Sequence, residues 1–228
     1  MKNSRLIIYW MMCCLMIQAC TGENSANHTN TPDAPSTDQP NDNQEEVVPS
    51  ASADDKIIPG HRIGLIQADA TEADIIKAYG DANVERADIG VGEGEIVPGT
   101  KVFPGTEKEL LIEWQPKQAY QKMARIRVER ANAPWVTLSG VRIGTSLGEL
   151  QKINGKDFDF YGFEWDYSGL VNDWKEGELS KNLQVFLTPV NMEAIFPDLL
   201  GDSSFPCDHP KAKEAGLEVS ALVLLFDQ

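Results

Sequence analysis

Cysteine is nearly absent from the part of this chain that could fold. Of the four present, Cys13, Cys14 and Cys20 fall within the first twenty residues, which leaves Cys207 alone in the remainder. A single thiol closes no internal disulfide, so Cys207 is either a small buried hydrophobe or a group free to pair with another chain. Histidine is equally sparse: His28, His61 and His209 have no paired spacing, and no H-E-x-x-H, C-x-x-C or EF-hand loop occurs. The usual zinc and calcium signatures are therefore missing, and neither metal nor cofactor is expected. There is no G-x-S-x-G elbow, and Cys207 has a histidine only two residues away in sequence, which does not place a base against a nucleophile. The chain reads as a non-enzyme with no catalytic residue to name. Basic residues are scarce as well, 20 Lys and Arg against 35 Asp and Glu, for a formal net charge of −15. Such a surface repels nucleic acid and anionic lipid alike. The run Gly90-Val91-Gly92-Glu93-Gly94 lacks the third glycine of a dinucleotide loop and places an acid where phosphate would sit, so it reads as a flexible loop.

What is present begins at the N-terminus, where Lys2 and Arg5 precede an apolar run from Leu6 to Ile17 that closes on Ile17-Gln18-Ala19-Cys20. The run is long enough for a signal-peptide core and too short to span a bilayer as a helix. With an aliphatic residue three before the cysteine and a small one immediately before it, the segment resembles a bacterial lipoprotein signal. The resemblance implies cleavage after residue 19 and lipidation, palmitate included, of Cys20. An ordinary secretory signal cut elsewhere is the alternative. Thr21 in place of Asp after the cysteine resembles outer-membrane sorting, so the expected location is the cell envelope, lipid-anchored at the outer membrane with the domain in or beyond the periplasm. Cleavage removes two bases and no acid, taking the net charge to −17.

Residues 21–56 are built from Thr, Asn, Ser, Asp, Pro, Gln and Ala, with eight acids and one base, Lys56. They cannot bury enough apolar surface to offset their ordering entropy, so residues 20–56 read as a lipidated disordered tether. As a flexible coil it spans on the order of 35 Å, and at most about 120 Å when stretched.

Residues 57–228 contain an internal repeat. Arg62-Ile63-Gly64 recurs as Arg142-Ile143-Gly144, and each triplet precedes a capped-helix signal. Thr71 and Asp74 stand in the [ST]-x-x-[DE] relation before Ile75, Ile76 and Tyr79, with Gly80 following. Ser146 and Glu149 do the same around Leu147, Leu150 and Ile153, with Gly155 following. Strands come next in each copy: Leu110, Ile112 and Trp114 alternate with Leu111 and Glu113, then Ala124, Ile126 and Val128 alternate with Arg125, Arg127 and Glu129, a polar set that should meet water. In the second copy Leu183, Val185 and Leu187 take the earlier place and Leu217 to Phe226 the later one, apolar enough that both faces should be covered. Pro98-Gly99, Pro104-Gly105 and Glu176-Gly177 read as turns. The expected fold is α+β: two tandem repeats of a short helix followed by an antiparallel sheet, the first over 57–138 and the second over 139–228, after signal peptide 1–19 and the tether. This arrangement resembles the beta-lactamase-inhibitor-protein-like superfamily, and is similar in type to the small lipoprotein of the outer-membrane barrel-assembly machinery. The segment from Leu150 to Phe158, continuing through Gly162 to Gly169, looks like a stretch found in bacterial lipoproteins of unassigned function.

One segment is dense in chemistry-bearing side chains. Phe158, Phe160, Tyr161, Phe163, Trp165 and Tyr167 interleave with Asp157, Asp159, Glu164 and Asp166. The alternation suits a half-buried strand, with Trp165 in the core. It also suits a carbohydrate-stacking platform, in which flat rings meet sugar faces and carboxylates accept hydroxyl protons.

These readings converge on a membrane-anchored, non-enzymatic protein-binding or scaffold role toward an unknown envelope protein, with a concave sheet or inter-repeat surface as the contact. The alternatives are a carbohydrate-binding or glycan-hydrolysing envelope protein using residues 157–167, and an inhibitor of a secreted hydrolase. Anchoring rests on the lipid of Cys20, since nothing in the acidic tether attracts a membrane and each buried methylene contributes about 0.8 kcal/mol. Fractionation of cells expressing Cys20→Ala should find the protein unprocessed or displaced from the membrane. Normal retention and mass would contradict the anchor.

Overall fold

The computed structural model describes residues 54–92, 94–179 and 181–226. The signal segment, Cys20 and the tether up to residue 53 lie outside the described residues. What is described is α+β and mostly sheet. Strands β1 (Lys56–Ile58), β2 (Arg62–Ile63) and β3 (Ile66–Gln67) lead into helix α1 (Glu72–Tyr79). A four-strand meander follows: β4 (Val84–Gly92), β5 (Glu95–Val102), β6 (Leu110–Trp114) and β7 (Met123–Val128). The short β8 (Val136–Thr137) returns to pair parallel with β1. The chain continues through α2 (Leu147–Asn154), β9 (Asp159–Tyr161), β10 (Val171–Asp173), β11 (Leu183–Thr188), β12 (Ser204–Pro206), α3 (Pro210–Ala215) and β13 (Glu218–Leu225).

The last strand inserts between β11 and β7. One antiparallel sheet of six strands results, in the order β11-β13-β7-β6-β5-β4. A three-stranded sheet β10-β9-β12 and a four-stranded one, β3-β2-β1-β8, complete the fold. The six-stranded sheet has two unlike faces. On one, Val102, Ile112, Ile126, Leu222, Leu224 and Val185 join Ile75 of α1, Leu150 of α2, Phe160 of β9 and Phe158 just before it in a continuous apolar core. On the other, the cross-strand rows read Glu113 opposite Arg125, Leu111 opposite Arg127, and Arg127 opposite Val223 opposite Gln184.

Both helices begin as the sequence dictates. Thr71 and Ser146 each accept from the third helical amide, and Asp74 and Glu149 each reach back to the cap amide. These bonds hold the Asp74 and Glu149 carboxyls below their ordinary range. The caps therefore contribute fully above that range, and their contribution is lost as pH falls below it through the lowered folded-state values. Gly155 ends α2 in the left-handed region, at φ 70°. Ile75 and Leu150 are the fourth residue of their helices, and both are buried. Beyond the helices the two parts differ: the first supplies four adjacent strands of the large sheet, whereas the second supplies two and diverts β9, β10 and β12 into a separate sheet.

Several sequence expectations are corrected. Gly90 to Gly92 form the end of β4, and Pro98-Gly99 lies inside β5, so this region is a long hairpin rather than a loop and a turn. Proline is tolerated there because β6 first meets β5 at Gly99, leaving Pro98 no donor to supply on that side. Gly99 is required by close approach, since a Cβ would sit 2.9 Å from the Ile112 carbonyl oxygen as well as 2.2 Å from Ile89 Cδ1. Ordered pairing also begins ahead of residue 57. Asp54 accepts from Arg62 at 2.6 Å, and the Asp55 carbonyl from the Val136 amide at 2.9 Å.

Because Ile75 and Leu150 hold matching positions in one core, Ile75→Ala and Leu150→Ala should each cost about 2–5 kcal/mol. Urea unfolding of both variants checks this, and a cost below about 1 kcal/mol at either site would show that its helix does not seat on the shared core.

Candidate functional site

The face of the six-stranded sheet turned away from the core carries a groove of about 390 Å³. Its floor comes from β7 (Arg125, Arg127), β13 (Ser220, Ala221, Val223) and β11 (Gln184, Phe186). One wall is the tip of the β4–β5 hairpin at Gly90 to Gly92, and the other is the loop holding Asp166 and Ser168. A second hollow, about 500 Å³, continues past Arg127 toward Lys101, Glu109 and Arg130. Arg127 divides the two: its Nη1 donates to the Gly90 carbonyl at 3.4 Å and its Nη2 to Glu129 at 2.7 Å.

Period-two alternation puts these side chains here. Residues that alternate with Ile126 and Val128 must point away from the core, and so must those that alternate with Val185. Between the two arginines lies Glu113, only 3 % exposed. Its Oε2 accepts from Arg125 Nε at 2.5 Å, while its Oε1 is 3.9 Å from Arg127 Nη1 and makes no hydrogen bond. A buried carboxylate oxygen of this kind is costly unless a donor reaches it. Arg125 and Arg127, expected on a wet face, are about one-third exposed and line the groove.

The aromatic and acidic segment divides in two. Phe158, Phe160 and Phe163 are buried, whereas Trp165 is 62 % exposed and Tyr167 58 %. The expected strand through Phe163, Trp165 and Tyr167 is not formed. These residues occupy a turn, and Trp165 is not a core residue. The turn is firmly fixed: the Ser168 amide donates to the Trp165 carbonyl at 3.0 Å, the Leu170 amide to the Tyr167 carbonyl at 2.9 Å, and the Glu164 amide to Ser168 Oγ at 3.3 Å. Glu164 sits at φ 69°. Gly169 makes the reversal possible, because at φ 72° a Cβ there would meet the Leu187 carbonyl oxygen at 2.1 Å. Tyr167 leans on Tyr161, ring centroids 5.5 Å apart.

No family model matches this chain, and no curated protein or solved structure matches it either.

The remaining candidates serve the structure. Asp157 accepts from Gln151 at 2.5 Å, and Asp159 pairs with Lys175. Only Asp166 of the four acids lines the groove. Cys207 is buried and unpaired. Its Sγ accepts from the Phe158 amide at 3.3 Å, and burial pushes its pKa up, away from thiolate reactivity. His209 caps α3, its Nδ1 accepting from the Lys211 amide, and His61 is exposed on another strand connection. Among the described residues no group of three His, Cys, Asp or Glu is placed to hold a metal, and no helix is long and apolar enough to cross a membrane. A third hollow of about 290 Å³ lies between α2 and α3, lined by Leu147, Cys207, Ala212 and Leu217. Ser146, Gln151, Lys213 and Glu218 complete its lining.

Sequence reasoning missed Gln184, Phe186 and Ser220. Their alternation with the apolar residues of β11 and β13 is legible, but the insertion of β13 beside β7 is what brings them to the arginines.

Proposed function

We propose that the chain is a non-enzymatic binding protein of the cell envelope, held at the outer membrane by a lipid on Cys20, and that the groove on the outer sheet face is its recognition surface. The groove itself carries this reading. It is concave, mixed in polarity and walled by fixed backbone at both ends, the usual make-up of a ligand site. The two walls come from different elements, the β4–β5 hairpin of the large sheet and the hydrogen-bonded turn between β9 and β10 of the small one, and a turn so held has little ordering left to do on binding. The acidic tether keeps the domain off the membrane surface, and the net charge argues against nucleic acid as ligand. The sequence-level preference for an envelope protein partner and the carbohydrate alternative both fit a groove of this kind. Inhibition of a secreted hydrolase rests on fold resemblance alone.

The finer fold reading is part of the same proposal. Matching capping boxes, matching buried fourth residues and glycine stops support two tandem units of helix and sheet, the second having lost two strands from the shared sheet. In that view the recognition face spans both units, with β7 from the first and β13 and β11 from the second.

Site-specific photocrosslinking in the native envelope tests the groove. A benzophenone amino acid at Ala221, on the groove floor, should give a reproducible adduct that the same group at the exposed Leu138 does not. Equal labelling from both positions, or none from Ala221, would contradict the groove as the recognition surface.

A further inference from the structure

Resting on the groove as the recognition surface, we infer that its ligand is a neutral saccharide, stacked on Trp165 and hydrogen-bonded along the groove beside it. Three observations carry this.

The first is the state of Trp165. A tryptophan more than half exposed on a mobile loop could be incidental, but this one sits in a turn closed by three backbone and hydroxyl hydrogen bonds and a glycine no other residue could replace. The same turn supplies Asp166 and Ser168 to the groove wall. A rigid ring held in water loses little conformational freedom on binding, and its electron-rich face suits the C–H faces of a pyranose ring.

The second is the mixture of donors and acceptors along the groove. Arg127 and Gln184 offer N–H groups, Asp166 accepts only, Ser220 accepts because its hydroxyl donates to the Phe186 carbonyl at 3.3 Å, and Ser168 does both. Sugar hydroxyls, each donor and acceptor, match such a row. Phe186 and Val223 add apolar floor between these groups, as a ring with alternating hydroxyl and C–H faces requires.

The third is the local charge, which separates neutral from anionic sugars. Arg125 and Arg127 do not form a free cationic patch. Glu113 takes Arg125 at 2.5 Å and Glu129 takes Arg127 at 2.7 Å, while Asp166 makes no ion pair among the described residues. Two guanidinium groups thus face three carboxylates, in a protein already at −15. A uronate or a phosphorylated sugar would meet net repulsion, and bases of single-stranded nucleic acid, which also stack on aromatic rings, would be excluded for the same reason. Hydroxyl donors are favoured, and Glu113 Oε1, buried without a hydrogen bond, sits beside Arg127 beneath the same face.

Calorimetric titration of the full chain with maltohexaose, cellohexaose, xylohexaose and chitohexaose, set beside hexagalacturonate, tests this. At least one neutral hexamer should bind and hexagalacturonate should not. Trp165→Ala should weaken the neutral ligand about tenfold with an unchanged melting temperature, and Trp165→Phe should recover part of the loss. Asp166→Asn should keep neutral binding, since the amide still accepts. If only hexagalacturonate binds, or no hexamer binds, or Trp165→Ala binds as the parent does, the saccharide assignment is wrong. The Ala221 crosslink separates that failure from failure of the groove. An Ala221 adduct to a protein, without saccharide binding, overturns the ligand class and leaves the groove standing, while loss of both signals removes the groove as well.

Discussion

One buried carboxylate ties the first half of the fold together. Glu72, the first residue of α1, is 5 % exposed. Its Oε2 accepts from Arg86 Nε at 2.7 Å and Nη2 at 2.5 Å, and its Oε1 from Thr100 Oγ1 at 2.8 Å. Thr100 in turn accepts from Trp114 Nε1 at 2.9 Å, and the Glu72 amide donates to the Tyr120 carbonyl at 3.0 Å. Arg86 lies over the Tyr120 ring, 3.9 Å from its centroid. One side chain therefore joins α1 to β4, β5 and, through Thr100, β6. A buried charge is stable only when so fully bonded, and its place at a helix N-terminus adds a favourable dipole. The consequence is positional: β4 is the outer strand of the large sheet, and its far end is the groove's hairpin wall. Glu72 fixes the near end of that strand.

The second half uses a buried amide for a comparable purpose. Asn154, the last residue of α2, is fully buried. It donates from Nδ2 to the Lys156 and Trp174 carbonyls at 3.0 Å each, and accepts at Oδ1 from the Leu179 amide at 3.4 Å. Gly177 approaches so closely that a Cβ would lie 2.2 Å from that Oδ1. The polar anchor stands at the start of one helix and at the end of the other. Both helices are anchored on the core side, and the opposite face of the sheet is where Arg125, Arg127, Gln184 and Phe186 collect. The core and the groove thus occupy opposite faces of one sheet.

Local signals in the sequence were faithful where neighbouring residues decide the outcome. Thr71 with Asp74 and Ser146 with Glu149 make the capping boxes their spacing implies, and the strands around Ile112, Ile126, Val185 and Leu222 lie where alternation puts them. Failures came where distant parts of the chain decide. Pro98-Gly99 resembles a turn, yet β5 overruns β6 there and leaves proline unpenalised. Phe163, Trp165 and Tyr167 alternate like a strand, but the Gly169 reversal under Leu187 and the contact of Phe163 with the chain at Leu199 and Gly201 bend the segment into a turn. The groove was legible as separate alternating residues and not as a site, because only the placement of β13 between β11 and β7 assembles it. The signal and tether readings stand on the sequence, since residues 1–53 lie outside the described part.

The claim that Glu72 secures the hairpin strand, and with it one wall of the groove, is tested most directly by amide hydrogen exchange on Glu72→Gln. The variant keeps the side-chain shape and one acceptor oxygen while removing the charge that holds Arg86. Exchange in β4 and β5 should accelerate by an order of magnitude or so, as expected for loss of a hydrogen bond to a charged group, while β11 and β13 keep the parent's protection. Unchanged protection in β4, or an equal loss across all six strands, would contradict the account.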